Sequence, residues 1–173
     1  MTKMEELLKQ QQDIVAAIAA EFKRGVEEAA KGMADAQYNL AVMHHHGHGV
    51  PRNLPEAVRG YKLAADQGHI GAQFNLGVMC EKGQGVDEDC VQAFSWYKLA
   101  AGHGHAGAQL NLGALYERGT GVKQDYQEAM RCYKLASDKE SADAKFAIGC
   151  MFENHHGVEQ DFTAAMAWYK LAA

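Results

Sequence analysis

Apolar residues return along this chain with a helical spacing, and the spacing itself recurs. Between Gly71 and Lys82, the residues Ala72, Leu76, Met79 and Cys80 fall at i, i+4, i+7 and i+8, one face of an α-helix. Gly83 then offers a stop where φ can turn positive. After the loop Gln84-Gly85-Val86, Asp89 opens a second helix with Gln92 three residues on, the spacing of a capping box. Asn53 with Glu56 and Asp125 with Glu128 repeat that pairing, whereas Asp161 is followed by Ala164, which leaves its box half empty. Gly68 and Gly104 close the second helix of the first two copies. No stretch alternates with period two, so the expected fold class is all-α.

The step between copies is 36 residues, as Ala36, Ala72, Ala108 and Ala144 show. It also relates Gly49, Gly85, Gly121 and Gly157, each followed by valine, and Ala57, Ala93, Ala129 and Ala165. The blocks beginning at Tyr61, Tyr97, Tyr133 and Tyr169 all read Tyr-Lys-Leu-Ala. Four helix pairs are therefore expected at 34–69, 70–105, 106–141 and 142–173, after an N-terminal segment of residues 1–33. One pair buries too little apolar surface alone, so the copies must stack on one another. Gly77, Gly113 and Gly149 lie mid-helix, where glycine costs about 1 kcal/mol relative to alanine. A cost repeated in three copies implies close approach of the partner helix, with Ala93 and its equivalents facing the glycines.

Residues 4–31 read as a further helix with a broad apolar stripe of Met4, Leu7, Leu8, Ile14, Val15, Ile18, Phe22 and Val26, interrupted by Gln11 and Gly25. Its first expected role is to cover repeat 1; its second is a coiled-coil-like homodimer contact. At the other end Trp168, Tyr169 and Leu171 border an edge that either self-associates or meets further repeats.

Composition narrows the function. Hydrophobic residues make up 47% of 173, so a real core is expected. The net charge is −5, from 17 basic and 22 acidic residues, with no basic cluster to release phosphate counterions. Nucleic acid is therefore not expected as a partner. No run approaches eighteen apolar residues, so no membrane span is expected. The short run Ile14–Ala20 ends in Glu21 without a signal-peptide layout, and a cytoplasmic location follows as the expectation. Cys80, Cys90, Cys132 and Cys150 show no CxxC spacing and are expected as free thiols. Cys80 and Cys90 together replace Tyr116 and Tyr126, which leaves a disulfide between them as the alternative in an oxidising compartment.

Three motifs suggest chemistry and are set aside. His44, His45, His46 and His48 resemble a metal site, but consecutive histidines at a helix end are expected to point to different sides, unlike a tetrahedral zinc set. Ser95 and Lys98 match an SxxK nucleophile, yet no Ser-Asp-Asn or Lys-Thr-Gly accompanies them. The Gly-x-Gly loops lack a third glycine and a preceding strand.

Repeat 3 carries Ala108, Leu112, Gly113, Tyr116, Gly119, Gly121, Val122, Ala129, Tyr133 and Ala136 in an order that resembles the Sel-one-like repeat, a relative of the tetratricopeptide repeat. His44 and Cys80 depart from that pattern at the aromatic, Ala41 at the first glycine, His155 at the loop glycine and Glu140 at the final glycine. The resemblance implies a right-handed superhelical solenoid of antiparallel helix pairs, a non-catalytic protein–protein adaptor, and no cofactor. It also implies that the outward stripe of each first helix lines a concave face: Tyr38 and Val42, Phe74 and Val78, Leu110 and Ala114, Phe146 and Cys150. One turn on stand His45, Glu81, Glu117 and Glu153, with Lys82 and Arg118 beside them. This stripe is either a groove for a peptide or helix, or the seal between successive repeats. Asn39, Asn75 and Asn111 are expected to bond the neighbouring repeat. A self-assembling module built from the two ends is the alternative function.

Overall fold

The computed structural model describes residues 3–173. Among these there are nine helices and no strand: α1 (Lys3–Ala30), α2 (Ala34–His46), α3 (Leu54–Asp66), α4 (Ile70–Lys82), α5 (Cys90–Gly102), α6 (Ala106–Arg118), α7 (Tyr126–Ser137), α8 (Ala142–Glu153) and α9 (Phe162–Ala172). They fall into two compact units, one up to His69 holding α1–α3, the other Ile70–Ala173 holding α4–α9. In the second unit α4 pairs with α5, α6 with α7 and α8 with α9, while α5 packs on α6 and α7 on α8.

Short polar side chains start the second helix of each pair. Asp89 Oδ1 accepts from the Val91 and Gln92 amides at 2.9 Å each, Asp125 and Asp161 cap α7 and α9 in the same way, and Asn53 Oδ1 caps α3 through the Glu56 amide at 3.2 Å. The boxes do not close on the backbone. Gln92 Nε2 donates to Asp89 Oδ2 at 3.0 Å, and Glu128 turns to Arg131, with Nε to Oε2 at 3.0 Å. An arginine one turn on offers the Glu128 carboxylate a charged donor. Asp161 caps α9 fully without a partner at 164, since its carboxylate accepts from both the Thr163 and Ala164 amides.

The mid-helix glycines face tyrosine rings more closely than alanine. A Cβ on Gly77 would stand 2.7 Å from the Tyr97 ring, one on Gly113 2.7 Å from the Tyr133 ring, and one on Gly149 2.5 Å from the Tyr169 ring. Each pairing joins the two helices of one repeat. Tyr97 is fully buried and Tyr133 nearly so. A tyrosine removes roughly 150–250 Å² from water. At about 25 cal/mol per Å², that gain of several kcal/mol outweighs the cost of the helical glycine. Repeat 1 solves the same contact in reverse. Ala41 stands where the others have glycine, and the facing helix supplies Gly60, where a Cβ would come 2.9 Å from the Ala41 Cβ.

Helix α1 packs on α2 in the register of a second helix from a repeat one step earlier. Gln37 Nε2 donates to Ala29 O at 3.3 Å, as Gln109 Nε2 donates to Ala101 O at 3.3 Å. Phe22 meets His44 edge-on at 6.3 Å, as Phe94 meets Tyr116 at 5.3 Å. Gly49 lies against Ile18 as Gly121 lies against Cys90 and Gly157 against Tyr126. By this register Ile18 matches the first residues of α5 and α7, and residues 3–17 have no counterpart in any repeat.

Two departures from the repeat hold the left-handed backbone of the glycine they replace, Glu140 at φ 62° and His155 at φ 60°. That conformation costs an L residue about 1–2 kcal/mol. Glu140 is compensated: Lys145, in the position of Gln37, Gln73 and Gln109, sends Nζ to Glu140 Oε2 at 2.6 Å. His155 Nδ1 accepts from the Gln160 amide at 3.1 Å, an exposed bond that water can replace, so changing His155 to glycine should still raise unfolding stability, by up to about 1 kcal/mol. Glu140→Gly alone should give no such gain, because it strips the mostly buried Lys145 of its partner, whereas Glu140→Gly with Lys145→Gln should give it. Urea unfolding of the three variants checks this; a gain from Glu140→Gly alone equal to that of the double variant would contradict it.

Candidate functional site

The stripe on the first helix of each repeat remains partly open to solvent. Tyr38, Val42, Phe74, Val78, Leu110, Ala114 and Cys150 are half-buried and Phe146 is 56% exposed. Several of these residues also work within the fold. Tyr38 stacks on His69 at 4.2 Å, and Phe74 stacks on His105 at 4.4 Å while its ring lies 3.2 Å from where a Gly107 Cβ would be. Phe146 leans on Tyr169 at 5.1 Å.

One turn on, a ladder of carboxylates is bound to the buried tyrosines. Tyr97 Oη donates to Glu81 Oε2 at 2.7 Å, Tyr133 Oη to Glu117 Oε2 at 2.6 Å, and Tyr169 Oη to Glu153. In repeat 1 the carboxylate is replaced by His45, whose Nδ1 lies 3.2 Å from Tyr61 Oη. Burial, and then the hydrogen bond and charge of the carboxylate, push the Tyr97 and Tyr133 hydroxyls well above the usual phenol range, so both stay donors. Tyr169 is raised as well, first by its hydrogen bond to Cys150 and then by Glu153. The Asn111 amide, from the following repeat, reaches the Tyr97 hydroxyl too.

Two of the carboxylates also meet a side chain from the next repeat. Arg118 Nη2 lies 3.1 Å from Glu81 Oε1, and His156 Nδ1 lies 2.9 Å from Glu117 Oε1, its ring stacked on Tyr126 at 4.7 Å. Glu81 and Glu117 are thus fixed in direction, each held by its own repeat and by the one after it. Lys82 is exposed beside Glu81, and Glu153 is exposed at the last rung.

The first unit holds an open cavity of about 370 Å³ among α1, α2 and α3, walled by Val26, Ala29, Leu40, Leu63 and His44. The histidine run differs from its expected geometry. His46 stacks between His45, at 4.6 Å, and His48, at 5.3 Å, because Gly47 at φ 74° turns the chain back on itself. His44 points instead to Phe22. No cluster of three or more His, Cys, Asp or Glu suited to a metal ion occurs among the described residues. Ser95 Oγ donates to Val91 O at 3.0 Å, and the Lys98 ammonium sits 5.9 Å from the Phe94 ring centre. Cys80, Cys90, Cys132 and Cys150 are free, and burial pushes the Cys132 thiol up to about 11. Among the described residues no helix is long and apolar enough to cross a membrane.

The Sel1 repeat family model matches residues 34–69, 70–105, 106–141 and 142–173. The chain belongs to the Sel1-repeat family. Its fold is similar to that of c5321, a protective antigen present in uropathogenic Escherichia coli strains, at 33% identity and a TM-score of 0.83 over 87% of this chain and 32% of that one. It is similar as well to a Sel1 repeat protein from Oxalobacter formigenes, at 34% identity and 0.79 over 83% of this chain and 57% of that one. The chain thus spans about a third of the first relative and somewhat over half of the second. The immunity protein Pa5087 from Pseudomonas aeruginosa, at 20% identity and 0.57 over 99% of this chain and 66% of that one, shares the fold. No curated protein matches the chain in sequence. Sel1-repeat proteins are all-α, tetratricopeptide-like solenoids that generally serve as protein–protein interaction scaffolds and are typically non-catalytic.

His105 has a role that spacing did not show. His105 Nδ1 accepts from the Ala108 amide at 3.2 Å, capping α6, while its ring stacks on Phe74; Ser141 Oγ caps α8 at 3.3 Å. Burial lowers the His105 pKa below its ordinary value and keeps the ring neutral. The folded state then binds fewer protons than the unfolded chain, so stability is full above about pH 6.5 and declines as the pH falls below that value. His105→Ser, which keeps a capping oxygen, should lose less of its urea midpoint than the native chain between about pH 7 and 5. Equal losses would contradict the assignment.

Proposed function

We propose that this Sel1-repeat chain is a non-catalytic adaptor that holds a peptide or helix of another protein along the first-helix stripe. The residues are Tyr38, Val42, His45, Phe74, Val78, Glu81, Lys82, Leu110, Ala114, Glu117, Arg118, Phe146, Cys150 and Glu153. The observation that carries the reading is the continued solvent access of every apolar stripe position in all four repeats, next to tyrosine-bound carboxylates in the second, third and fourth. An apolar floor supplies contact area without demanding one sequence. Carboxylates with fixed direction supply register to a ligand bearing basic or backbone donors. Phe74 gives one face to His105 and still offers surface, so packing within the fold and binding a ligand are compatible for that ring.

Peptides selected from a random library on the immobilised chain test this reading. Phe146→Glu, at an exposed site, should leave unfolding unchanged and weaken the selected peptides at least about tenfold, or 1.4 kcal/mol. Phe162→Glu, equally exposed but on the second helix of repeat 4, should not. Binding that survives Phe146→Glu and is lost with Phe162→Glu would overturn the proposal.

A further inference from the structure

The apolar side chains in the first half of α1 stay exposed among the described residues. Residues 3–17 extend past the register that α1 shares with the repeats, and no residue of α1 is buried. Met4 is 71% exposed, Leu7 56%, Ile14 59% and Val15 66%. Fifteen residues of helix with no packed face are marginal in water, so this apolar stripe calls for a cover.

The stripe is a palindrome. From Met4 through Leu7, Leu8, Gln11, Ile14 and Val15 to Ile18, the steps are three, one, three, three, one, three. All seven positions fall on one side of the helix, with Gln11 at the centre. A two-fold contact requires that where residue i meets j, j also meets i. An antiparallel pairing about Gln11 meets that requirement at every position. Met4 faces Ile18 of the second copy, Leu7 faces Val15, Leu8 faces Ile14, and Gln11 faces itself.

We propose that residues 3–18 form an antiparallel two-fold contact with the same segment of a second copy, making the protein a homodimer. The overlap is about 21 Å long at 1.5 Å per residue. It ends at Ile18, where each helix meets its own Gly49 loop, so the contact uses the length that the repeat register leaves over. The paired Gln11 amides each donate and accept, and one polar pair in an apolar seam fixes register. Lys3 of each copy comes alongside Glu21 of the other on the same flank. A membrane surface suits this segment less, because Glu5, Glu6 and Asp13 outnumber Lys3 and Lys9. The contact is independent of the peptide-binding reading, and its test reads self-association without any peptide.

Sedimentation of the full chain well above micromolar concentration should give twice the monomer mass. Leu8→Glu with Ile14→Glu should give the monomer mass with the unfolding midpoint of the repeats unchanged. With the native chain as control for its four thiols, Gln11→Cys should oxidise to a reducible covalent dimer and Leu8→Cys should not, since Leu8 faces Ile14. A native chain that stays monomeric, a glutamate variant that stays dimeric, or Leu8→Cys cross-linking as readily as Gln11→Cys would each overturn the proposal.

Discussion

A tyrosine ring laid on a glycine of the facing helix is the contact on which the second, third and fourth repeats depend. Tyr97 on Gly77, Tyr133 on Gly113 and Tyr169 on Gly149 hold the two helices closer than any Cβ would allow. The burial of the ring outweighs the intrinsic penalty of glycine in a helix. The same placement aims the phenol oxygen at the edge of the pair, where it meets Glu81, Glu117 or Glu153. Core packing and surface chemistry are therefore one arrangement: the residue that sets the helix spacing also orients the carboxylate.

Between repeats the contacts are smaller and more varied, which suits a structure whose copies must fit together without being identical. Phe74 lies against Gly107, Tyr126 stacks on His156, and Gln109 ties back to Ala101. Departures are compensated in pairs. Gly60 makes room for Ala41, and Lys145 meets Glu140, each pair restoring a contact that the common sequence makes differently. Helix α1 takes the place of an earlier second helix with Phe22, Ala29 and Ile18, which gives α2 a neighbour of the kind that α6 and α8 have.

Helices, capping residues and the family were legible because each repeats with a period that side-chain geometry imposes. The buried face of α4, read from Ala72, Leu76, Met79 and Cys80, is buried in full. The partner of the mid-helix glycines was less legible: helical spacing shows which face a residue shares but not which side chain crosses the gap, so Ala93 was expected where Tyr97 lies. The carboxylates recur every 36 residues, but their partners in the next repeat leave no periodic signal, since Glu117 and His156 are 39 residues apart and Glu81 and Arg118 are 37 apart. The register of α1 was present but faint. Stepping back 36 residues from Ala65 reaches Ala29, while Gly25 stands where Tyr61 would predict a ring, and among the described residues nothing lies within 4 Å of where its Cβ would be. The stacking of His46 between His45 and His48 depends on the left-handed turn at Gly47, which spacing alone does not describe.

A double-mutant cycle at Gly113 and Tyr133 measures the tyrosine–glycine contact most directly. Urea unfolding of the full chain should show Gly113→Ala costing about 1–3 kcal/mol beside the native tyrosine. In a Tyr133→Leu background the ring is gone, and the same change should cost nothing or stabilise by up to about 1 kcal/mol. An equal penalty in both backgrounds would mean that the glycine answers to some other neighbour, and the account of the helix pair would fail.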